Sequence, residues 1–129
     1  MKVLNALLVD RLQRHPDGRV DLLGLFEDIH LPTLPTALDS ISVFVDLGFD
    51  TDERGAGQSL TLELRDPDGQ SIHQSVVKFT VPTFDQYPRE TAQLDLALFK
   101  PTFRTHGPHS LEIRHDDKIL RALALHILS

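Results

Sequence analysis

The chain has 129 residues and no cysteine, so disulfides, thiolate metal sites, iron–sulfur clusters and cysteine nucleophiles are excluded. Apolar residues make up 40% and charged residues 25%, which fits one folded domain and not a disordered or collagen-like chain. A net charge of −6 argues against broad nucleic-acid or anionic-membrane binding, and no apolar run approaches the roughly 18 residues a membrane helix needs.

The first predicted element is a strand over 3–14. Lys2 and the apolar run behind it begin as a signal peptide does. Asn5 interrupts the run, however, and Asp10 closes it with no small-residue cleavage site. With no export signal and no cysteine, the expected location is the cytoplasm.

Further strands are predicted over 19–26, 40–49, 59–66, 70–81, 93–100, 109–115 and 118–127. Period-2 alternation carries most of them. Ile41, Val43, Val45, Leu47 and Phe49 stand against Ser42, Asp46 and Gly48; Leu60, Leu62 and Leu64 stand against Thr61, Glu63 and Arg65. Leu94, Leu96 and Leu98, then Leu111 and Ile113, repeat the pattern. One face of each strand enters a core and the other meets water.

Turn chemistry joins them. His15-Pro16-Asp17-Gly18 and Asp66-Pro67-Asp68-Gly69 place proline, aspartate and glycine where a tight hairpin wants them. A third hairpin is expected at His115-Asp116-Asp117-Lys118. The connections at 27–39, 50–58, 82–92 and 101–108 are richer in Pro, Gly, Asp and Thr. Eight strands with this spacing predict an all-β, antiparallel two-sheet sandwich with Greek-key connections. The expected core is Val43, Val45, Leu47, Leu62, Leu64, Leu96, Leu98, Leu111, Ile113, Leu123 and Leu125.

Two strands lack a wet face. In the first, Leu4, Ala6, Leu8 and Leu12 fall on one side, and Val3, Leu7 and Val9 on the other. In the last, Leu123, Leu125 and Ile127 oppose Leu120, Ala122, Ala124 and His126. Val3, Leu7, Val9, Leu120, Ala122 and Ala124 are therefore the candidate interface, with a homodimer as the expected partner state. The alternative is a crossing segment, 27–39 or 82–92, that covers the outer side.

No chemistry is assembled in the sequence. The seven histidines, His15, His30, His73, His106, His109, His115 and His126, are scattered over many elements. His106-Gly-Pro-His109 is the one suggestive spacing, and a strand separates positions 109 and 115 by about 20 Å. Asp50-Thr51-Asp52-Glu53-Arg54-Gly55 begins like a calcium loop. It offers Arg54 where an oxygen ligand is wanted and Thr61 where a bidentate glutamate is wanted. Gly55-Ala56-Gly57 is no dinucleotide fingerprint, and Gly57-Gln58-Ser59-Leu60-Thr61 is no nucleophile elbow. The aromatic loops Phe84-Asp85-Gln86-Tyr87 and Phe103-Arg104 read as plugs over the sandwich ends or as a sugar-stacking surface. No catalytic residue, cofactor site or metal site is assigned.

The opening run to Asp10, Asp17-Gly18-Arg19-Val20, Leu23-Gly24-Leu25-Phe26, the Pro32 to Pro35 connector and Leu62 to Gly69 form a pattern over nearly the whole chain. Phe103 to Gly107, Leu111 to Ile113 and Asp117 to Leu120 complete it. This pattern resembles a family of small, uncharacterised bacterial proteins known only as a domain of unknown function. The resemblance implies an immunoglobulin-like sandwich and brings no catalytic residues. His115-Asp116-Asp117-Lys118 departs from it where an Asp-Gly turn is expected.

The reading that follows is a non-catalytic interaction module that self-associates, with no nucleic acid and no membrane among its partners. A sandwich holding a metal ion or a small polar ligand in its end loops is the alternative. An enzyme comes third.

Overall fold

Alternation in the sequence becomes two facing sheets. The computed structural model describes residues 1–81 and 91–129. The first sheet contains β1 (Lys2–Arg14), β2 (Val20–Leu25), β5 (Ser40–Gly48) and β8 (Thr91–Phe99), in the order β2-β1-β5-β8. The second contains β3 (Asp28–His30), β6 (Gly57–Arg65), β7 (Ser71–Thr80), β10 (Gly107–His115) and β11 (Lys118–Leu128), in the order β3-β11-β10-β6-β7. A small third ladder pairs β4 (Thr36–Ala37) with β9 (Thr102–Phe103).

Three strands were not expected: β3 and β4 inside the 27–39 connection, and β9 inside 101–108. They are two or three residues long, too short to show a period. One ladder also departs from the antiparallel expectation, because β3 runs parallel to β11. Loop 50–58 holds a turn of 3₁₀ helix at Thr51–Glu53. The predicted 82–92 connection falls largely outside the described residues; Thr91 and Ala92 already belong to β8.

Across the first sheet β1, β5 and β8 follow one another as A, B and E do in an immunoglobulin domain. Across the second, β11, β10, β6 and β7 follow as G, F, C and C′. The hairpins β6–β7 and β10–β11 stay within one sheet, while the steps from β5 to β6 and from β9 to β10 cross between sheets. This is an immunoglobulin-like sandwich.

Between the sheets lies one cluster that includes Val43, Val45, Leu47, Leu62, Leu64, Leu96, Leu98, Leu111, Ile113 and Leu125, all buried. Leu123 packs against it half-buried. Phe103 is fully buried and plugs one end, with its ring edge-on to the His109 imidazole at 5.3 Å between centroids. Phe84-Asp85-Gln86-Tyr87 lies outside the described residues.

The two Pro-Asp-Gly turns close as hairpins, with Gly18 and Gly69 donating to the carbonyls of His15 and Asp66. In the third hairpin Asp116 takes the left-handed backbone position, at φ 54°, that glycine was expected to fill. Aspartate reaches that region more readily than most side chains.

Two bulges overturn the expected faces of the first and last strands. The β1–β5 register shifts between Val3 and Asn5, so Leu4 is extra, and Val3 turns onto the core while Leu4 stays exposed. The β10–β11 register shifts so that Leu120 is extra, and it too packs against the core. Arg121, opposite the core residue Ile113, keeps the inner-face alternation of Leu123 and Leu125, while Ile119, beyond the bulge, faces outward opposite Arg114.

The β1–β2 ribbon does not continue straight. Its pairing with β5 ends at Val9↔Ser42. Near its tip, Arg14 Nη2 donates to the Gln93 carbonyl at 3.0 Å. Gln93 lies two strands away in β8, opposite Asp46 and thus at the Asn5 end of the sheet. The ribbon therefore folds back across the outer face. This accounts for the burial of Val9 and Phe44, 1% and 6% exposed, although both point away from the central cluster. Gly24 enables the bend: its φ is +70°, and a Cβ there would come within 2.6 Å of the Asp10 Cβ.

Candidate functional site

Three features stand out on the surface. The first is an apolar flank. The ladder of β1 with β2 begins only at Val9, and that of β11 with β3 only at His126. The edges of β1 before Val9 and of β11 before His126 thus lack a strand partner among the described residues. Between them runs a groove of about 400 Å³, lined by Ala6, Leu7, Leu8, Leu25, Leu123 and Ala124, with Phe26 and Glu27 at one end. Leu7 is 39% and Leu25 59% exposed. The Phe26 amide donates to Leu8 and the Glu27 carbonyl accepts from His126, which fixes that end to both sheets.

The six candidate interface residues do not share this flank equally. Leu7, Ala122 and Ala124 are exposed. Val3 and Leu120 are turned onto the core by the two bulges, and Val9 is buried beneath the folded-back ribbon. Leu25, which was not among the candidate interface residues, is the most exposed large apolar residue lining the groove.

The second feature is a charged lattice on the outer face of the second sheet. Glu63 and Glu112 stand directly opposite each other on β6 and β10, an unfavourable pairing by itself. Arg65 and Arg114 resolve it. Arg65 donates to both glutamates at 2.9 Å, and Arg114 to Glu112 at 3.0 Å. Both glutamates are only 12% exposed. Burial pushes the Glu112 carboxyl up, but the hydrogen bonds from Arg65 and Arg114 outweigh it and hold the group below its ordinary value. Every charge here is paired, so the lattice serves the sheet and not a ligand.

The third feature is a polar groove of about 440 Å³ at the end of the sandwich plugged by Phe103. Lys100, Arg104, Thr102, His109, Asp66 and Gln70 are among its lining residues, together with His73. The Asp66 carboxylate is occupied by its own turn, accepting from the amides of Asp68 and Gln70 at 3.0 and 2.9 Å. Lys100 sits at φ 53°, a left-handed conformation that disfavours its side chain. Two backbone bonds, Lys100 to Asp39 and Leu38 to Pro101, hold it there. His109 is 3% exposed; its Nδ1 lies 3.0 Å from the Gly107 carbonyl, while its buried Nε2 has no partner.

The remaining suspected sites come apart. His106 Nε2 binds the Leu31 carbonyl at 2.7 Å and His115 Nε2 the Gln58 amide oxygen at 3.0 Å, so neither joins His109. Among the described residues no three metal-ligating side chains converge. In the Asp50–Gly55 loop the Glu53 carboxylate is taken by the Met1 ammonium at 2.6 Å and by the Asp50 amide at 2.8 Å.

Residues 4–128 match the model of a family of unknown function, DUF6941. The chain belongs to that family. No curated protein matches this DUF6941 chain. Among solved structures it is similar to an immunoglobulin-like protein from Pseudomonas aeruginosa, at 14% identity and a TM-score of 0.48, covering 98% of this chain and 94% of that one. It is also similar to part of a glycosyl hydrolase family 2 member from Bacteroides cellulosilyticus, at 14% identity and a TM-score of 0.47. That match covers 73% of the DUF6941 chain and only 13% of the hydrolase chain.

Proposed function

We propose that this DUF6941 protein is a non-catalytic interaction module that self-associates through the flank between β1 and β11. One observation carries the reading: two strand edges with no strand partner among the described residues border an apolar groove whose rim exposes Leu7 and Leu25. An uncovered edge is a template for another strand, and exposed leucines beside it supply the apolar burial that an edge alone lacks. A second copy is the simplest occupant, because a two-fold axis brings the same groove and the same edge to itself. Ala122 and Ala124, small and exposed on β11, let two backbones approach closely.

The test is the mass in solution. Light scattering at micromolar concentration is expected to give a dimer, burying at least about 1,000 Å² in total. Leu25→Asp and Ala124→Arg each place an unpaired charge in the contact, and are expected to give folded monomers. A wild-type mass of 14.5 kDa throughout that range refutes the reading.

A further inference from the structure

We propose that the second copy lies antiparallel across the β1–β11 groove, with Arg121 of each copy paired to Glu27 of the other. This rests on the self-association proposed above and adds the orientation of the two copies and the charges that select it.

The groove has two chemically different ends. Arg121 donates from Nη2 to the carbonyls of Val3 and Leu4, which places its guanidinium beyond the Ala6 end of the groove. The Phe26 amide meets the Leu8 carbonyl and the His126 amide meets the Glu27 carbonyl, so Glu27 closes the opposite end. Along β11 the step from Arg121 to His126 spans about 17 Å. Arg121 is half-buried, and its Nε and Nη1 groups have no partner among the described residues. Glu27 is exposed, and its carboxylate has no ion-pair partner among the described residues. A guanidinium held by one nitrogen and open at the others is poised to take a carboxylate.

Symmetry turns this difference into an orientation. A two-fold axis along the groove sets Arg121 against Arg121, and Glu27 with its exposed neighbour Asp28 against their own copies. Like charges brought together and partly desolvated oppose association. A two-fold axis across the groove, passing through both sheets, reverses its direction, and opposite ends then meet twice. Each copy carries −6, so the two bodies repel at long range and the contact needs attraction of its own. Two Arg121–Glu27 pairs supply it, one on either side of the apolar centre formed by Leu7, Leu123 and Ala124.

Sedimentation velocity on the full chain gives the dimer dissociation constant at low and at high salt. The wild-type dimer is expected to weaken as salt screens the two pairs. Glu27→Lys sets a cation against Arg121 and is expected to weaken the dimer at least about tenfold at low salt, with high salt recovering part of the loss. Circular dichroism confirms that the variant is folded. Orientation is read separately by oxidation, because the chain has no cysteine of its own. A mixture of Glu27→Cys and Ala122→Cys chains is expected to form the mixed disulfide in preference to either like pair. A dimer indifferent to salt and to Glu27→Lys, or a mixture that does not give the mixed disulfide, overturns the antiparallel seating and leaves self-association standing. A wild-type chain that stays monomeric removes both.

Discussion

Arg121, in the last strand, donates from Nη2 to the carbonyl of Val3, in the first, across 3.2 Å. The Leu4 carbonyl lies 3.5 Å from the same nitrogen. Both strands bulge where they meet. The bulge at Leu4 disturbs the β1–β5 ladder beside these carbonyls, and Arg121, next to the bulge at Leu120, stands on the inner face opposite Ile113 and meets them. One side chain thus ties the two sheets together along the flank where, among the described residues, β1 before Val9 and β11 before His126 have no further strand beside them.

Arg121→Met keeps the length of the side chain and removes the donor. It is expected to lower unfolding stability by about 1.5–3 kcal/mol, the range for hydrogen bonds made by a charged group. Arg121→Lys should recover part of the loss. Urea unfolding followed by circular dichroism measures both, and a midpoint unchanged in Arg121→Met would mean that water satisfies the two carbonyls equally well.

Phe44 tests the folded-back ribbon. On an open outer sheet face its truncation would cost little. Because it is 6% exposed, Phe44→Ala is expected to cost about 3–5 kcal/mol, as for a core aromatic. Val76, on the outer face of the second sheet and 57% exposed, supplies the contrast: Val76→Ala should change stability by less than about 0.5 kcal/mol. Equal effects at the two positions would show that the ribbon does not lie over the first sheet.

Glu112 predicts the acid limb of the stability profile. Its folded value lies below the ordinary 4.5, because the bonds from Arg65 and Arg114 outweigh burial. A depressed carboxylate contributes stability that is fully present above its unfolded value and is lost as the pH falls through the folded value. Thermal melts between pH 7 and pH 3 should therefore show a decline beginning below about 4.5. Glu112→Gln should be less stable than wild type at pH 7 and should decline less on acidification. Parallel curves would show that the lattice does not couple to protonation.

Much of the fold was legible because a strand with one wet face writes its period into the chain. Val43, Val45 and Leu47, or Leu62 and Leu64, are buried as their alternation requires, and the two Pro-Asp-Gly turns close where they stand. Membership in a β-sandwich family was legible for the same reason, since its pattern is made of strands and turns. The end groove was less so: Lys100, Arg104 and His109 are ordinary residues in three different segments. Their one local sign was a basic, aromatic-bearing stretch between two strands.

What the amino-acid order determined by itself was the set of long strands, their inward faces and the tight turns, because those follow from contacts within a few residues. Tertiary structure decided the rest. A single extra residue at Leu4 and another at Leu120 reversed the side-chain parity of everything beyond them, sending Val3 and Leu120 inward, and a bulge leaves no mark on composition or spacing. The fate of Val9 and Phe44 was decided by a ribbon returning over the sheet, anchored where Arg14 meets Gln93, 79 positions along the chain. Burial is a property of what lies above a residue, and the local pattern records only the residue.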